Sequence, residues 1–424
     1  MLEVLVGLTG LICLGAAVYV YNVYRDPFHP LIYLTGMFSF IYVYMPALLL
    51  KSGELFTFVS EEQAVFSHLI VMASLVALIT GCLKGSNSPA TTPPADFYIP
   101  VDSSRLRAGA YVAGAVGLVA WALTILNVGG LANAYSTGYG GGWSDYGYVR
   151  DSAYLLLIAL LILLSPQGLQ AKGFIWRLAI VVFSAPWVIQ GLLGARRGPT
   201  FMVTIAVVVS WFMARGKRPP VLGTVVGGAL LGMLLLFLVS NRNEIHVGSD
   251  FDLKANPKDQ ILNAAAYNEY IFSAGTITAS HQIGEYFWGR RWAAEVLVRP
   301  VPRQIWPNKW AAMGVPDSYV GIAGGTVLDI MGWAENPGAA PAIVADLWAE
   351  WGWLSIPIMG LIGWYYGIAW KRATMWGGRW ISNYVIVVML SIFFITQTME
   401  AVIFRFIILM SVSLYLWRRA RILQ

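Results

Sequence analysis

Residues 221–240 read VLGTVVGGALLGMLLLFLVS, twenty consecutive positions without one charged side chain. As an α-helix the stretch would extend about 30 Å, the thickness of a bilayer's hydrocarbon core. Windows of the same kind recur on both sides of it. Eleven spans are expected, near 2–24, 29–50, 63–83, 109–128, 152–168, 174–194, 199–214, 220–240, 353–370, 380–399 and 401–417. No segment repeats another, which disfavours the repeat-built transporter folds.

Composition agrees with that pattern. Hydrophobic residues make up 58% of the 424 and charged residues 12%, too few charges to cover a water-soluble surface of this size. The expected class is an all-α polytopic membrane protein. The net charge of +6 suits an anionic bilayer surface and does not call for nucleic acid. Cys13 and Cys82 fall inside apolar runs and fit neither a disulfide nor a metal site. The first apolar segment begins with Glu3 and has no basic leader, so it reads as a retained span.

Lys and Arg give the orientation. Fifteen of them lie in alternate short connections (Arg25; Lys84, Arg105, Arg107; Lys172, Arg177; Arg215, Lys217, Arg218; Lys371, Arg372, Arg379; Arg418, Arg419, Arg421), against Lys51, Arg150, Arg196 and Arg197 in the opposite set. The positive-inside rule then predicts a cytoplasmic C-terminus. Three regions follow: spans one to eight over 1–240, a long extracytoplasmic loop over 241–352 with a helix expected within 258–288, and spans nine to eleven over 353–424. Residues 129–151, GGLANAYSTGYGGGWSDYGYVRD, read as a Gly/Tyr-rich interfacial loop.

The remaining charges are the informative ones. GARRGPT at 194–200 puts Arg196 and Arg197 on the side where cations are scarce. A guanidinium fork matches phosphate oxygens, and the competing reading is an interfacial pair of snorkelling arginines. Arg242 opens the long loop. Further on, a basic run opens at Arg290 and Arg291 and continues through RPVPRQIWPNKW at 299–310, which interleaves Arg299, Arg303 and Lys309 with Trp306. Cations for phosphate and indoles for sugar rings would suit an anionic glycolipid, whereas a basic rim would merely touch anionic headgroups. Asp346 and Glu350 stand four apart and share a helical face just before the ninth span. Either is a candidate general base toward a hydroxyl, or both pair with a loop arginine. His281, Glu244, Glu269 and Glu285 are further loop candidates. Arg405 lies inside the last span with Glu400 and Gln397 within two turns, and an intramembrane arginine calls for a partner. No P-loop, dinucleotide glycine fingerprint, metal-type His/Cys spacing or Asp-x-Asp motif occurs, so neither nucleotide nor metal is expected as cofactor.

Three strings, GARRG (194–198), RPVPRQIWPNK (299–309) and ADLWAEWGWL (345–354), resemble the oligosaccharide repeat-unit polymerases, the Wzy or O-antigen polymerase family. Arg303 and Gly314 also match that family's Arg-x10-Gly spacing. Trp310 and Ala349 depart from its usual Pro and Gly. The resemblance covers roughly 190–410.

It implies a GT-C-like architecture in the bacterial inner membrane, with about 11 transmembrane helices and a large helical periplasmic loop. The implied activity is polymerisation of undecaprenyl-pyrophosphate-linked oligosaccharide repeat units into O-antigen or exopolysaccharide. A flippase and a chain-length regulator are the implied partners. Carried over, Arg196 and Arg197 would hold one pyrophosphate. Arg299, Arg303 and Lys309 would meet the second or the glycan, with Arg242, Trp306 and Arg405 as further contacts. Glu350 would be the leading carboxylate, with Asp346 and His281 as alternatives. The competing readings are an O-antigen ligase that transfers glycan to lipid A-core and a lipid-linked oligosaccharide flippase or exporter.

Overall fold

The computed structural model describes residues 1–89, 93, 99–137, 147–170, 173–250, 253, 268–302, 305–315, 322–334 and 339–422. Among these the chain is all-helical, with no β-strand. The principal helices are α1 (Leu2–Tyr24), α2 (Pro30–Ser52), α3 (Glu61–Ser86), α4 (Ser103–Asn127), α5 (Leu155–Leu163), α6 (Phe174–Leu192), α7 (Arg197–Ala214), α8 (Val221–Ser240), α9 (Glu269–Ile283), α11 (Ala342–Trp351), α12 (Ser355–Trp376), α13 (Arg379–Thr396) and α14 (Met399–Arg419), with the single turn α10 (Arg290–Ala293) between α9 and α11. Nine of them are long and apolar enough to cross a membrane, the pattern of a multi-pass membrane protein. The two expected spans that fall short do so for identifiable reasons. α5 has nine residues, about 14 Å of helix. α12 has twenty-two, but Pro357, glycines and a Trp/Tyr-rich middle dilute its apolar character.

Local chemistry sets the helix ends. Ser60 and Gln63 form a capping box on α3, and the Asp102 carboxylate accepts from Ser104 N–H at 2.8 Å and Arg105 N–H at 3.1 Å at the start of α4. α2 passes through a π-turn, Phe40–Tyr44, just before Pro46, whose missing N–H breaks the helical ladder.

The chain divides into two compact units. The first comprises Met1–Ser88, Lys258–Ile368 and Ser391–Phe404; the second comprises Pro89–Pro257, Ala369–Leu390 and Arg405–Gln424. The boundaries thus run differently from the three sequence-based regions, because the latter half of the long loop packs with the first three spans.

In the first unit, α3 and α12 meet backbone to backbone. A Cβ on Gly85 would lie 2.2 Å from Trp364 O, and one on Gly363 would lie 2.2 Å from Leu78 O. This is the small-residue packing that membrane helices use to gain dispersion contact. One end of this unit joins Tyr24 to Asn87 at 2.5 Å and His29 to Ser86 at 3.0 Å. The other joins the Met1 amine to Glu61 at 3.3 Å and Trp333 to Phe58 O at 2.8 Å. The basic connections with Arg25 and Lys84 fall at the first of these ends.

In the second unit, Asp102 N–H donates to Ala420 O at 2.8 Å and Ile422 N–H to Pro100 O at 2.9 Å. Arg105, Arg107, Arg418, Arg419 and Arg421 therefore share an end. At the other end, Val247 N–H donates to Tyr135 O at 2.7 Å. α8 is almost wholly uncovered, with 6% of its apolar window buried, as a lipid-facing helix should be.

The helix expected within 258–288 is α9. Asn268 caps it, its side chain accepting from Tyr270 N–H at 2.9 Å, and Gly284 ends it at φ 75°; positions 258–267 lie outside the described residues. Tyr270 through Ser280 are buried on every side, which explains why no single apolar stripe is visible in the sequence. Ser67 donates to Ala274 O at 3.2 Å, and His68 meets Tyr270 at 3.2 Å, so this loop helix lies across the N-terminal turns of α3.

Candidate functional site

α11 carries the two acids singled out from sequence, and their four-residue spacing does bring them to one face. That face meets Arg291. Arg291 Nε–H donates to Glu350 Oε2 at 2.7 Å and its Nη2 donates to Asp346 Oδ1 at 2.9 Å. Glu350 Oε1 also accepts from the Arg291 backbone N–H at 3.3 Å, and Asp346 Oδ2 from Met399 N–H at 2.8 Å. A third carboxylate, Glu400, lies 3.2 Å from Arg291 Nε. All four side chains are at most 3% exposed.

Burial, reinforced by Glu400, pushes the Asp346 carboxyl above the ordinary carboxylate range against the pull of Arg291. Burial pushes Glu350 the same way, again against Arg291. Burial works to lower Arg291, but the charges of Glu400, Asp346 and Glu350 outweigh it and raise it. Asp346 and Glu350 therefore sit in a closed ionic core, away from solvent. Of the two readings left open by sequence, this geometry is the pairing with a loop arginine.

The segment between α9 and α10 is pinned to the end of α11. Phe287 N–H donates to Ala349 O at 3.1 Å and Trp288 N–H to Glu350 O at 2.7 Å. Trp288 takes φ 52°, a left-handed conformation that bulky residues rarely adopt, and its indole is 57% exposed. Gly352, at φ 53° and ψ −131°, lies in a region open essentially to glycine. It lets Tyr286 approach, since a Cβ there would stand 2.8 Å from the Tyr286 ring.

These turns support an aromatic shelf. Trp348 is buried at its centre, edge-on to Trp353 at 5.0 Å, Tyr286 at 6.2 Å and Phe66 at 6.0 Å. His281 stacks on Phe66 at 4.4 Å and is exposed. Trp353 is 59% exposed, and Trp288 extends the shelf through Tyr286 at 5.7 Å. Glu285, also exposed, lies against Gly324.

The basic string divides by role. Arg299 pairs with Glu295 at 2.7 Å and lies 4.0 Å over the Phe404 ring. Lys309 is buried and donates to the carbonyls of Val298, Arg299 and Val301 at 3.2, 3.0 and 2.5 Å. Trp306 is 38% exposed. Arg303 lies outside the described residues.

In the second unit, Arg196 stands at the N-cap position of α7 and Arg197 is its first residue, after Ala195 at φ 46°. Ala195 packs with Leu238 and Ile245, and Arg242 lies in the turn between those two. Arg196, Arg197 and Arg242 thus belong to one corner, with the N-terminus of an eighteen-residue helix. Arg405 donates from Nε to the Tyr154 hydroxyl, its Cζ 5.6 Å from that ring.

Sequence reading missed the roles of Arg291 and Glu400. Arg291 was one cation in a basic run, and nothing in the spacing says which arginine closes on α11. Glu400 carried a better signal, as the lone acid between two apolar spans. Among the described residues no group of three or more His, Cys, Asp or Glu is arranged to hold a metal ion. No family model, curated protein or solved structure matches the chain.

Proposed function

We propose that the chain is a membrane glycosyltransferase of GT-C-like architecture that polymerises undecaprenyl-pyrophosphate-linked oligosaccharide repeat units. The observation that carries this reading is the arginine corner of the second unit. Arg196 and Arg197 open α7, and Arg242 lies on the turn between Leu238 and Ile245, which pack on Ala195, at the end the charge pattern leaves poor in cations. Guanidinium forks and a helix N-terminus both favour phosphate oxygens. A lipid diphosphate is such a ligand, delivered at membrane depth.

The aromatic shelf of the first unit supports the glycan half of the reading. Exposed indoles at Trp288 and Trp353 offer flat apolar faces to sugar rings, and His281 offers a proton acceptor beside them. In the reaction, an acceptor hydroxyl attacks the anomeric carbon of the donor. The bond from that carbon to the diphosphate oxygen breaks, and the hydroxyl proton passes to a base; within the first unit His281 is exposed, whereas Glu350 is buried. The arginines offset charge developing on the leaving diphosphate. Asp346, Glu350 and Arg291 hold α11, and with it Trp348, in position; Arg299 and Lys309 brace their own loop.

On the positive-inside rule the arginine corner and the shelf face the periplasm and the C-terminus the cytoplasm, in the bacterial inner membrane. A flippase would supply the substrate and a chain-length regulator would act on the product. The test is polysaccharide profiling in a strain carrying Arg197→Ala, Arg242→Ala or Trp288→Ala. Accumulation of single repeat units supports polymerisation. Long free polymer not attached to lipid A-core would assign a ligase instead, and normal chains in all three variants would reject a transferase.

A further inference from the structure

We infer that the turn joining α12 to α13 binds an anionic phospholipid headgroup of the phosphatidylglycerol class, through Arg372 and Arg379 with Trp376 and Trp380. The inference is independent of the transferase reading. It starts from two glycines. Gly377 and Gly378 take φ of 65° and 50°, left-handed values that glycine adopts at little steric cost. Two residues thus suffice to end one helix and begin the next. Gly377 N–H donates to Ala373 O at 3.1 Å, and Trp380 N–H donates to Gly377 O at 3.0 Å.

That short link brings the last turn of α12 against the first turn of α13. Trp376 and Trp380 meet edge to face at 5.4 Å. Arg372 Cζ lies 4.7 Å from the Trp380 ring centroid and 5.4 Å from that of Trp376, and Arg379 Cζ lies 5.5 Å from the Trp380 centroid. Two guanidiniums therefore share one indole. The ring attracts each of them, while their like charges repel, and an anion placed between them converts that repulsion into attraction.

Neighbouring segments of the second unit add to the same charge. Arg107 Nη1 donates to Gln167 O at 3.4 Å, and Gln167 reaches the glycine turn, its Nε2 3.9 Å from where a Cβ on Gly378 would stand. The segments that meet here, 103–127, 155–170 and 369–390, contain no Asp or Glu in the sequence. α13 begins at this turn, and a helix N-terminus favours phosphate oxygens. Trp380 Nε1 and the Gln167 amide oxygen are buried without a hydrogen-bond partner. One calls for an acceptor and the other for a donor. A glycerol headgroup on a phosphodiester brings both, oxygen for the indole and hydroxyl for the amide. Arginine and tryptophan at the ends of apolar helices lie at headgroup depth, where basic pockets between helices recognise anionic lipids.

Native mass spectrometry of the full chain in neutral detergent tests this, with phosphatidylglycerol, phosphatidylcholine and inorganic phosphate as probes. Wild type should retain phosphatidylglycerol in preference to phosphatidylcholine, and inorganic phosphate should not displace it. Arg372→Gln and Arg379→Gln should each weaken retention about tenfold, the loss of one charge-assisted phosphate contact. Arg215→Gln, which removes an arginine 3.5 Å over the Trp211 ring, should leave retention unchanged. If either arginine variant does not fold, Trp380→Phe keeps an aromatic ring, loses the indole donor and should still weaken retention. Equal retention of the two lipids, or wild-type retention in the folded variants of this turn, overturns the inference. An equal loss in Arg215→Gln would assign the binding to general basic charge and overturn it too. Displacement by inorganic phosphate would assign a free-anion site in place of a lipid site.

Discussion

Arg291 Nε lies 2.7 Å from Glu350 Oε2, and both side chains are sealed from solvent. Breaking a buried pair from one side leaves the other charge uncompensated, at a cost of about 3–5 kcal/mol. Arg291→Met should therefore lower the thermal midpoint and the folded yield in detergent sharply. Arg291→Lys should recover only part of the loss, because an ammonium cannot reproduce the fork that reaches Glu350 and Asp346 together. Equal stability of the two variants would show that the fork is dispensable.

The same cluster gives stability a pH dependence of definite sign. Burial raises the Asp346 and Glu350 carboxyls above their unfolded values, so the folded chain binds more protons than the unfolded chain just above the ordinary carboxylate range. Stability is then greatest below that range and falls as pH rises through the raised values. Thermal midpoints measured from acidic to mildly alkaline pH should fall, and Asp346→Asn should flatten the slope. A midpoint that rises over this interval would mean that the ion pairs with Arg291 outweigh burial.

Helix packing offers a contrast between two glycines. A Cβ on Gly363 would meet Leu78 O at 2.2 Å, whereas one on Gly227 in α8 meets nothing within 4 Å. Gly363→Ala should destabilise by about 1–3 kcal/mol through overpacking. Gly227→Ala should be neutral or slightly stabilising, since alanine is the better helix former. Unfolding midpoints of the two variants in the same detergent check the pair.

Much of the fold was legible in the sequence, because bilayer thickness fixes the length of an apolar run. The limits are equally physical. α5 is too short, and α12 too diluted by Trp and Tyr, to stand among the nine long apolar helices. α9 gave no periodic signal because all of its faces are covered. At the candidate site, the spacing of Asp346 and Glu350 correctly put them on one face. Their partner could not be read, since Arg291 reaches them through a turn pinned by backbone hydrogen bonds. Trp288 is a similar case, because its exposure depends on a φ of 52° that no pattern in its neighbours announces.

Trp288 separates stability from function. Its left-handed backbone is strained for a bulky residue, so Trp288→Gly relieves strain while removing an exposed indole. The midpoint should stay within about 1 kcal/mol of wild type, while glycan chain length collapses. His281→Asn should likewise spare folding and lower the transfer rate. Unaltered polymer in both variants would remove the aromatic shelf from the site.

The most direct measurement is a transfer assay with the purified chain and undecaprenyl-pyrophosphate-linked repeat units, without metal or nucleotide. A ladder of lengthening glycans is expected, with one undecaprenyl pyrophosphate released per step, and Arg197→Ala combined with Arg242→Ala should abolish both. Repeat units left unjoined by well-folded wild-type protein, or a full ladder from the double variant, would contradict a glycosyl transfer that depends on the arginine corner.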